Sequence, residues 1–310
     1  MYRPLGNCLI NLAKHTGIGR TVWARLRQYP AIRDWAYSKR EQLQGPPKDL
    51  DAIASLTLPE NVAFKNLLPQ LDEIEGMFTH FSMSVIDALL SFQKDTGVEG
   101  DMLEFGVFRG KSAALLGRHL NPSEHLTLVD ISDYLDRRAI EPFGSAATLM
   151  VCGTEDFKKK YADYNRKRRS FRFIHIDASH NFRPTFRELS MADELLANDG
   201  IIAMDDYANL NYSQNIAAIF KYLFTKKTDL MMFLLTNEKA YLCRRSALAK
   251  YLPFVLDRIL AEVASRGIPS CLARTDSDPQ YQAFYLRPRE ATDDSCFYGL
   301  NIYSSLYQRI

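Results

Sequence analysis

The feature that most constrains the fold is the alternation of short apolar runs with helical patterns between residues 102 and 243. Several of these runs end in an acidic residue, and glycine or polar turns separate them from the helical patterns. Such alternation is typical of a mostly parallel sheet that is covered by helices on both faces. We therefore predict an α/β, doubly wound fold of Rossmann-like type.

The individual elements follow from the periodicity of the apolar residues. Helices are predicted at residues 77–92, 111–120, 184–196 and 252–263. Parallel strands are predicted at residues 102–105, 126–130, 149–152, 171–177 and 201–205. Two further runs at residues 230–235 and 240–243, separated by Asn237 and Glu238, predict an antiparallel hairpin at the sheet edge.

Three regions are predicted along the 310 residues. Turn residues at 45–47 and 58–60 separate a basic, helical N-terminal region, residues 1–60, from the main domain at residues 61–245. Residues 246–310 are predicted to form an irregular C-terminal extension with an aromatic-rich tail. Such aromatic residues are typical of packing, and a substrate cover or a dimer contact in a homo-oligomer remain as alternatives.

Charge is unevenly distributed, although the whole chain carries only +2. Residues 1–40 hold eight Lys and Arg residues against the single acid Asp34, among apolar side chains that include Trp23 and Trp35. A solvated helical face packed on the main domain is the favoured interpretation, and an anionic membrane surface or an acidic partner are the alternatives. No nucleic-acid reader motif accompanies the charge, so nucleic acid is not expected as a partner.

Cysteine spacing and apolar run length indicate the compartment. The five cysteines are scattered without paired spacing, which argues against a disulfide framework and against a zinc cluster. The first residues do not resemble a secretion signal, and no apolar run approaches membrane-spanning length. We therefore expect a soluble, cytoplasmic protein.

The turn after the first predicted strand, residues 106–110, is the segment expected nearest to a ligand. In open α/β sheets the ligand lies beyond the carboxyl ends of the strands, where Gly106 and Gly110 let the backbone approach it. Ser112 begins the next helix, which offers free amide groups. Phe108 breaks the glycine pattern of a dinucleotide turn, and a phosphate loop would need glycine where Phe105 stands.

A third ligand, S-adenosylmethionine, carries no phosphate and suits this turn better. Glu104, before the first glycine, can favour the cationic groups of that ligand directly or through water. Asp130 ends the second strand, where an acid can accept hydrogen bonds from both ribose hydroxyls. A helix cap or turn position is the alternative role of Asp130. Gly153 and Thr154 follow the third strand, where the adenine end is expected.

Carboxylates follow the fourth and fifth predicted strands. Asp177 ends one strand, and Asp205 and Asp206 end the next, so neighbouring strands would bring three carboxylates together. Unpaired carboxylates at such distances raise one another's pKa unless a cation intervenes, and oxygen ligands suit Mg²⁺. Asp177 and His180 are the catalytic candidates, since His180 could accept a hydroxyl proton or bind the metal. Capping and loop positioning are the alternative roles of these residues.

Together these segments resemble the class I S-adenosylmethionine methyltransferases, in the branch that includes macrocin O-methyltransferase and the cephalosporin-hydroxylase-like proteins. The resemblance covers roughly residues 77–245 and rests on four segments: EFGVFRGKS at 104–112, DASH at 177–180, DDY at 205–207 and TNEKAYL at 236–242. It implies a seven-stranded sheet and an O-methylated sugar or secondary-metabolite hydroxyl. It also implies that Asp177, Asp205 and Asp206 hold Mg²⁺.

One position departs from the pattern of this branch. Some metal-dependent members carry an acid two residues after the first metal-binding Asp as general base, and here that position is Ser179. His180 is the nearest remaining candidate for the base. We therefore expect a Mg²⁺-dependent O-methyltransferase of a small molecule. The alternatives are a non-catalytic cofactor-binding or scaffold protein and a phosphate-loop nucleotide hydrolase.

Overall fold

The computed structural model describes residues 56–207, 209–274 and 283–289. The chain divides into two compact units, residues 1–52 and 53–310, and every described residue belongs to the second unit. The predicted contacts of residues 1–40 and most of the aromatic tail therefore lie outside the described residues. The predicted domain boundaries remain predictions.

The described residues form one mixed sheet of nine strands. In space the strands follow the order β3-β2-β1-β4-β5-β7-β6-β9-β8. The first five are parallel, β7 runs antiparallel to β5, and β6 and β7 form the predicted antiparallel hairpin. The strands are β1 (Asp101–Phe105), β2 (Leu126–Asp130), β3 (Ala147–Val151), β4 (Phe171–Ile176), β5 (Leu196–Met204), β6 (Leu230–Leu235), β7 (Ala240–Arg244), β8 (Ser270–Arg274) and β9 (Phe284–Pro288).

Eight α-helices accompany the sheet in the described part of the chain. They are α1 (Val62–Asp72), α2 (His80–Asp95), α3 (Lys111–Gly117), α4 (Thr154–Lys160), α5 (Phe182–Leu195), α6 (Gln214–Thr225), α7 (Leu248–Asp257) and α8 (Ile259–Ser265). The helix predicted at 77–92 begins at His80 because Thr79 caps it, accepting a hydrogen bond from the Ser82 amide at 3.1 Å. None of the described helices has the length and apolar character needed to cross a bilayer.

The core lies on both faces of the sheet. On β4, for example, Phe173 points into one apolar cluster, while Ile174 and Ile176 point into the other. This alternation follows from the two-residue period of a strand, and burial on both faces explains why the parallel strands are continuously apolar. The first cluster includes residues of α1, α2, α3, α7 and α8, and the second includes residues of α4, α5 and α6.

The C-terminal region extends the sheet beyond the seven strands expected. β9 pairs with β6 in parallel, and β8 pairs with β9 in antiparallel orientation. The sequence analysis missed both strands because each is only five residues long and contains charged or proline residues. The single helix predicted at 252–263 is instead two helices, because Arg258 leaves the helical conformation at φ −129° and ψ −33°.

Candidate active site

A cleft of about 670 Å³ opens at the carboxyl ends of β1, β2, β4 and β5. This is the edge at which open α/β sheets bind ligands. Most of the predicted site residues line the cleft, and among them only Glu104 and Gly110 do not. The cleft-lining ones are Gly106, Ser112, Asp130, Gly153, Thr154, Asp177, His180, Asp205 and Asp206.

The two glycines of the turn after β1 have steric reasons to be glycine. Gly106 has φ +83°, and a Cβ there would overlap the carbonyl oxygen of Asp177 at the end of β4. Gly110 has φ +87° at the N-cap of α3, and a Cβ there would press on Leu135 and Ala139. The turn is therefore packed tightly against its surroundings.

The Asp130 carboxylate holds the glycine turn in place. Its Oδ2 accepts hydrogen bonds from the amides of Val107 at 2.8 Å and Phe108 at 3.0 Å. Its Oδ1 accepts a longer bond from the Ser132 amide at 3.3 Å. Asp130 is half-buried and lines the cleft. Its Oδ2 joins the end of β2 to the turn, and its Oδ1 makes fewer and longer hydrogen bonds within the protein.

Glu104 lies behind the wall of the cleft. It is fully buried, and its Oε1 lies 2.7 Å from Nδ1 of His175, its neighbour on β4. In this structure Glu104 therefore contacts a histidine, and direct contact with a ligand in the cleft is not available to it. Its second oxygen, Oε2, has no hydrogen-bond partner among the described residues.

The end of the cleft beyond β3 contains a residue that sequence analysis missed. Gly153 and Thr154 follow β3 as predicted, at the start of α4, a helix that was not predicted. The Thr154 hydroxyl donates a hydrogen bond of 2.6 Å to Glu188 Oε1 on α5. Burial raises the pKa of Glu188. No sequence signal distinguishes Glu188 from an ordinary helix carboxylate, because only the packing of α5 on α4 brings it to the cleft.

The predicted acidic cluster is assembled as expected from the strand order. His180 Nε2 lies 3.2 Å from Asp177 Oδ1 and 3.4 Å from Asp206 Oδ2, which are ion-pair distances. The ring of Tyr212 stacks on His180 with centroids 4.5 Å apart. His180 and Asp206 both have positive φ, +51° and +50°. Strained backbone of this kind is concentrated at functional sites.

Lys239 is the main residue of this cluster that sequence analysis did not assign. It precedes β7, is 2% exposed, and its Nζ forms an ion pair with Asp205 Oδ1. The same Nζ lies 5.3 Å from the ring centroid of Phe78. The premise that the carboxylates are unpaired is therefore wrong. A lysine directly before an apolar strand was the signal available, since lysine is rarely buried without a partner.

The pKa values of the cluster follow from this arrangement. Burial and the neighbouring Asp205 raise the pKa of Asp177 to about 7. Burial opposes ionisation of Asp205, but the Lys239 ammonium outweighs it and lowers the pKa of that carboxyl. Burial likewise opposes the charge of His180, yet the Asp177 carboxylate raises its pKa. The cluster therefore holds its proton on Asp177 and His180 and keeps Asp205 ionised.

The donor set of the cluster fits a divalent cation. Ligand atoms of His180, Asp205 and Asp206 lie within 4.8 Å of one another, and so do those of His175, Asp177 and Asp205. Carboxylate oxygens are the ligands that Mg²⁺ prefers. Asp205 would bind such an ion through the oxygen that is not paired with Lys239.

The comparisons with known proteins agree with the cofactor suggested by the cleft. Residues 103–207, about a third of the chain, match the family model described as "Methyltransferase domain". Residues 103–207 therefore form a methyltransferase domain, which agrees with S-adenosylmethionine as the cofactor. This match disfavours the nucleotide hydrolase. No curated protein matches the sequence.

Several solved structures are similar to this chain. The O-methyltransferase NovP is 13% identical, with 53% of this chain and 79% of NovP covered and a TM-score of 0.43. CalS11, a TDP-rhamnose 3'-O-methyltransferase of calicheamicin biosynthesis, is 15% identical, with 70% and 95% covered and a TM-score of 0.44. An O-methyltransferase from Bacillus cereus in complex with SAH is 14% identical, with 62% and 94% covered and a TM-score of 0.43.

Proposed function

We propose that this enzyme is a Mg²⁺-dependent O-methyltransferase that methylates a hydroxyl of a sugar or secondary-metabolite small molecule. The observation that carries the proposal is the composition of one continuous cleft. A glycine turn clamped by Asp130 lies at one side, and Asp177, Asp205 and Asp206 lie at the other. The first side suits the cofactor, and the second suits an acceptor hydroxyl.

The cofactor side follows from the placement of β2 and β3. Asp130 and Gly153 stand at the ends of these neighbouring strands and both line the cleft. The ribose is proposed to bind at Asp130, and the adenine near Gly153 and Thr154. This orientation directs the sulfonium methyl toward the turn after β4, where Asp177 lies. Methyl transfer then depends on holding the sulfonium and the acceptor oxygen in line.

The acceptor side supplies proton transfer. His180 is the proposed general base, because its imidazole lines the cleft between Asp177 and Asp206 and can accept the proton of the acceptor hydroxyl. Asp177 positions that imidazole and stabilises its charge after proton transfer. Mg²⁺ held by Asp177, Asp205 and Asp206 would lower the pKa of the acceptor hydroxyl.

Two variants separate cofactor binding from turnover. We expect Asp205→Asn to abolish methyl transfer and to leave affinity for S-adenosylhomocysteine nearly unchanged, because Asp205 belongs to the acceptor side. Asp130→Ala should weaken that affinity more than tenfold, because it removes the proposed charge-assisted hydrogen bonds to ribose, roughly 1.5–3 kcal/mol each, and also the acceptor that holds the turn. Calorimetry measures the affinity, and transfer of a labelled methyl group to a panel of glycosides and phenolic metabolites measures turnover.

A control variant and a chelator complete the test. Asp133→Ala removes an exposed carboxylate that pairs with Arg137 close to Asp130, and it should leave the affinity unchanged. Turnover should stop in EDTA and return with added Mg²⁺. Full methyl transfer in EDTA, with the product confirmed by mass, would contradict the metal role. An unchanged affinity in folded Asp130→Ala would contradict the ribose role.

A further inference from the structure

A buried polar layer lies beneath the acidic cluster, on one face of the sheet. Glu104 pairs in register with His175, which pairs with Ala203, and Ala203 pairs with Tyr241. Side chains that are directly opposite on neighbouring strands point to the same face. Glu104, His175 and Tyr241 are each at most 1% exposed. Glu104 Oε2, His175 Nε2 and the Tyr241 hydroxyl have no hydrogen-bond partner among the described residues.

Unpartnered buried polar atoms are rare in folded proteins, and each one calls for a physical reason. His175 is the informative member of the layer because it lies two residues before Asp177 on β4, and residues i and i+2 share a face. A ring nitrogen of His175 lies within 4.8 Å of carboxylate oxygens of both Asp177 and Asp205. Nδ1 is held by Glu104, so Nε2 is the nitrogen left to interact with a further group.

In the Glu104–His175 pair a carboxyl group holds one ring nitrogen of the histidine, and this arrangement is common for histidines that bind metals. With Nδ1–H donating to Glu104 Oε1 across the distance of 2.7 Å, a neutral His175 imidazole carries its lone pair on Nε2. Histidines that bind metals commonly donate their other ring N–H to a carboxylate or a carbonyl in this way. The pair therefore explains why a fully buried glutamate stands behind the cleft.

The charge of the surroundings permits a divalent cation even though Lys239 is present. Five acidic residues lie in or next to the cluster, namely Glu104, Asp177, Asp205, Asp206 and Glu238, and Lys239 pairs with Asp205 among them. A metal that binds there displaces the protons that Asp177 and His180 hold without it. A cation entering from the cleft reaches Asp177 and Asp205 directly, because both line it. His175 lies behind these two residues and would bind the inner side of the ion.

We propose that His175 Nε2 is a ligand of the cation bound by Asp177 and Asp205, which gives this enzyme a mixed nitrogen and oxygen site. The inference rests on the proposed metal dependence and refines it. An imidazole ligand favours first-row transition ions such as Mn²⁺ and Co²⁺ relative to an oxygen-only site, whereas Mg²⁺ gains little from nitrogen. His175 therefore sets which divalent cation the cluster prefers.

Pulsed electron paramagnetic resonance of bound Mn²⁺ tests the ligand directly. The full chain is loaded with Mn²⁺ and S-adenosylhomocysteine, and the spectrum is searched for the modulation produced by a directly bound imidazole nitrogen. We expect that modulation in the wild type, with the change of frequency expected when histidine is labelled with ¹⁵N. It should disappear in His175→Gln and persist in His180→Gln, the matched control from the second donor group.

Metal affinity provides a second measurement. His175→Gln should weaken Co²⁺ binding about tenfold or more, while Mg²⁺ binding changes by a smaller factor. Binding of S-adenosylhomocysteine and the unfolding temperature establish that each variant is folded. If His175→Gln does not fold, the ¹⁵N-labelled wild type and folded His180→Gln still test the ligand.

The possible outcomes separate this inference from the proposed function. Two outcomes overturn the role of His175 and leave the metal-dependent reaction standing. One is that Mn²⁺ binds without nitrogen modulation, and the other is that the modulation is lost only in His180→Gln. Failure of Mn²⁺, Co²⁺ and Mg²⁺ to bind at all overturns both. Nitrogen modulation that depends on His175, together with the selective loss of Co²⁺ affinity, supports the mixed site.

Discussion

Lys239 determines how the carboxylates of the cleft ionise. Its buried ammonium pairs with Asp205 and lowers the pKa of that carboxyl, whereas burial and the neighbouring Asp205 raise the pKa of Asp177 to about 7. Because the Lys239 ammonium already lies in the cluster, repulsion between the carboxylates does not by itself require a bound metal. The case for a metal rests instead on the geometry of the donor atoms.

The protonation of His180 predicts the pH dependence of the reaction. His180 must be neutral to accept a proton, and the neighbouring Asp177 and Asp206 raise its pKa above the ordinary 6.5 although burial opposes them. We therefore expect kcat to rise with pH as His180 loses its proton, falling about tenfold per unit below the apparent pKa, and a Mg²⁺ ion bound to the same carboxylates lowers that pKa relative to the metal-free protein. A pH profile at saturating cofactor, acceptor and Mg²⁺ measures this value.

His180→Gln is the comparison for that profile. The variant should lose the ascending limb and about 10²–10⁴-fold in kcat, because general-base catalysis contributes on that order. Its affinity for S-adenosylhomocysteine should be unchanged. An ascending limb that survives in His180→Gln would assign proton transfer to another group of the cluster, with Asp177 the first candidate.

At the scale of elements, the contact between β1 and β4 decides the shape of the cleft. The turn after β1 lies directly on the end of β4, so Gly106 and the backbone of Asp177 occupy adjacent space. Asp130 at the end of β2 fixes the same turn from the other side. Three strand ends are thus connected through one five-residue turn, which explains why residue 106 is glycine.

Gly106→Ala should destabilise the protein by more than about 2 kcal/mol. The left-handed backbone alone costs an alanine roughly 1–2 kcal/mol, and the overlap with the Asp177 carbonyl adds to that cost. Gly97→Ala is the matched control, since Gly97 has φ +67° and nothing within 4 Å of an added Cβ. It should cost about 1 kcal/mol. Urea unfolding measures both variants, and equal costs would show that the contact with β4 is unimportant.

At the scale of the whole molecule, the described part of the C-terminal region, residues 246–274 and 283–289, belongs to the folded core. α7 and α8 contribute fully buried residues to the first apolar cluster, including Tyr251, Val255 and Ile259. β9 covers the edge of β6 that would otherwise expose unpaired backbone groups. A chain ending near residue 245 would therefore lose part of its core and expose a sheet edge.

Two truncations test this view of the molecule. Deletion of residues 246–310 should abolish cooperative unfolding and binding of S-adenosylhomocysteine, because it removes α7, α8 and the strand that pairs with β6. Deletion of residues 1–40 should leave cofactor binding intact, since the methyltransferase domain is predicted to begin after the turn residues at 45–47. A folded, cofactor-binding chain without residues 246–310 would show that the central region is stable alone.

The sequence by itself determined the parallel strands, their order of appearance and the acidic residues that follow them, because apolar periodicity and turn residues are local properties. It thereby predicted the cleft and most of its lining, including Asp130, Asp177 and Asp205. The family resemblance and the methyltransferase-domain match point to the same class. Periodicity, turn residues and motif matches can all be read from the sequence without knowing which elements pack together.

Only the tertiary structure decided which charges meet. Lys239 pairs with Asp205, and Glu104 with His175, across strands that are far apart in sequence, so no local pattern reveals either pair. The two C-terminal strands were likewise fixed by pairing with β6 and with each other. Burial and pairing of polar groups depend on the packed neighbours of a residue, and these neighbours are set by the register of the sheet.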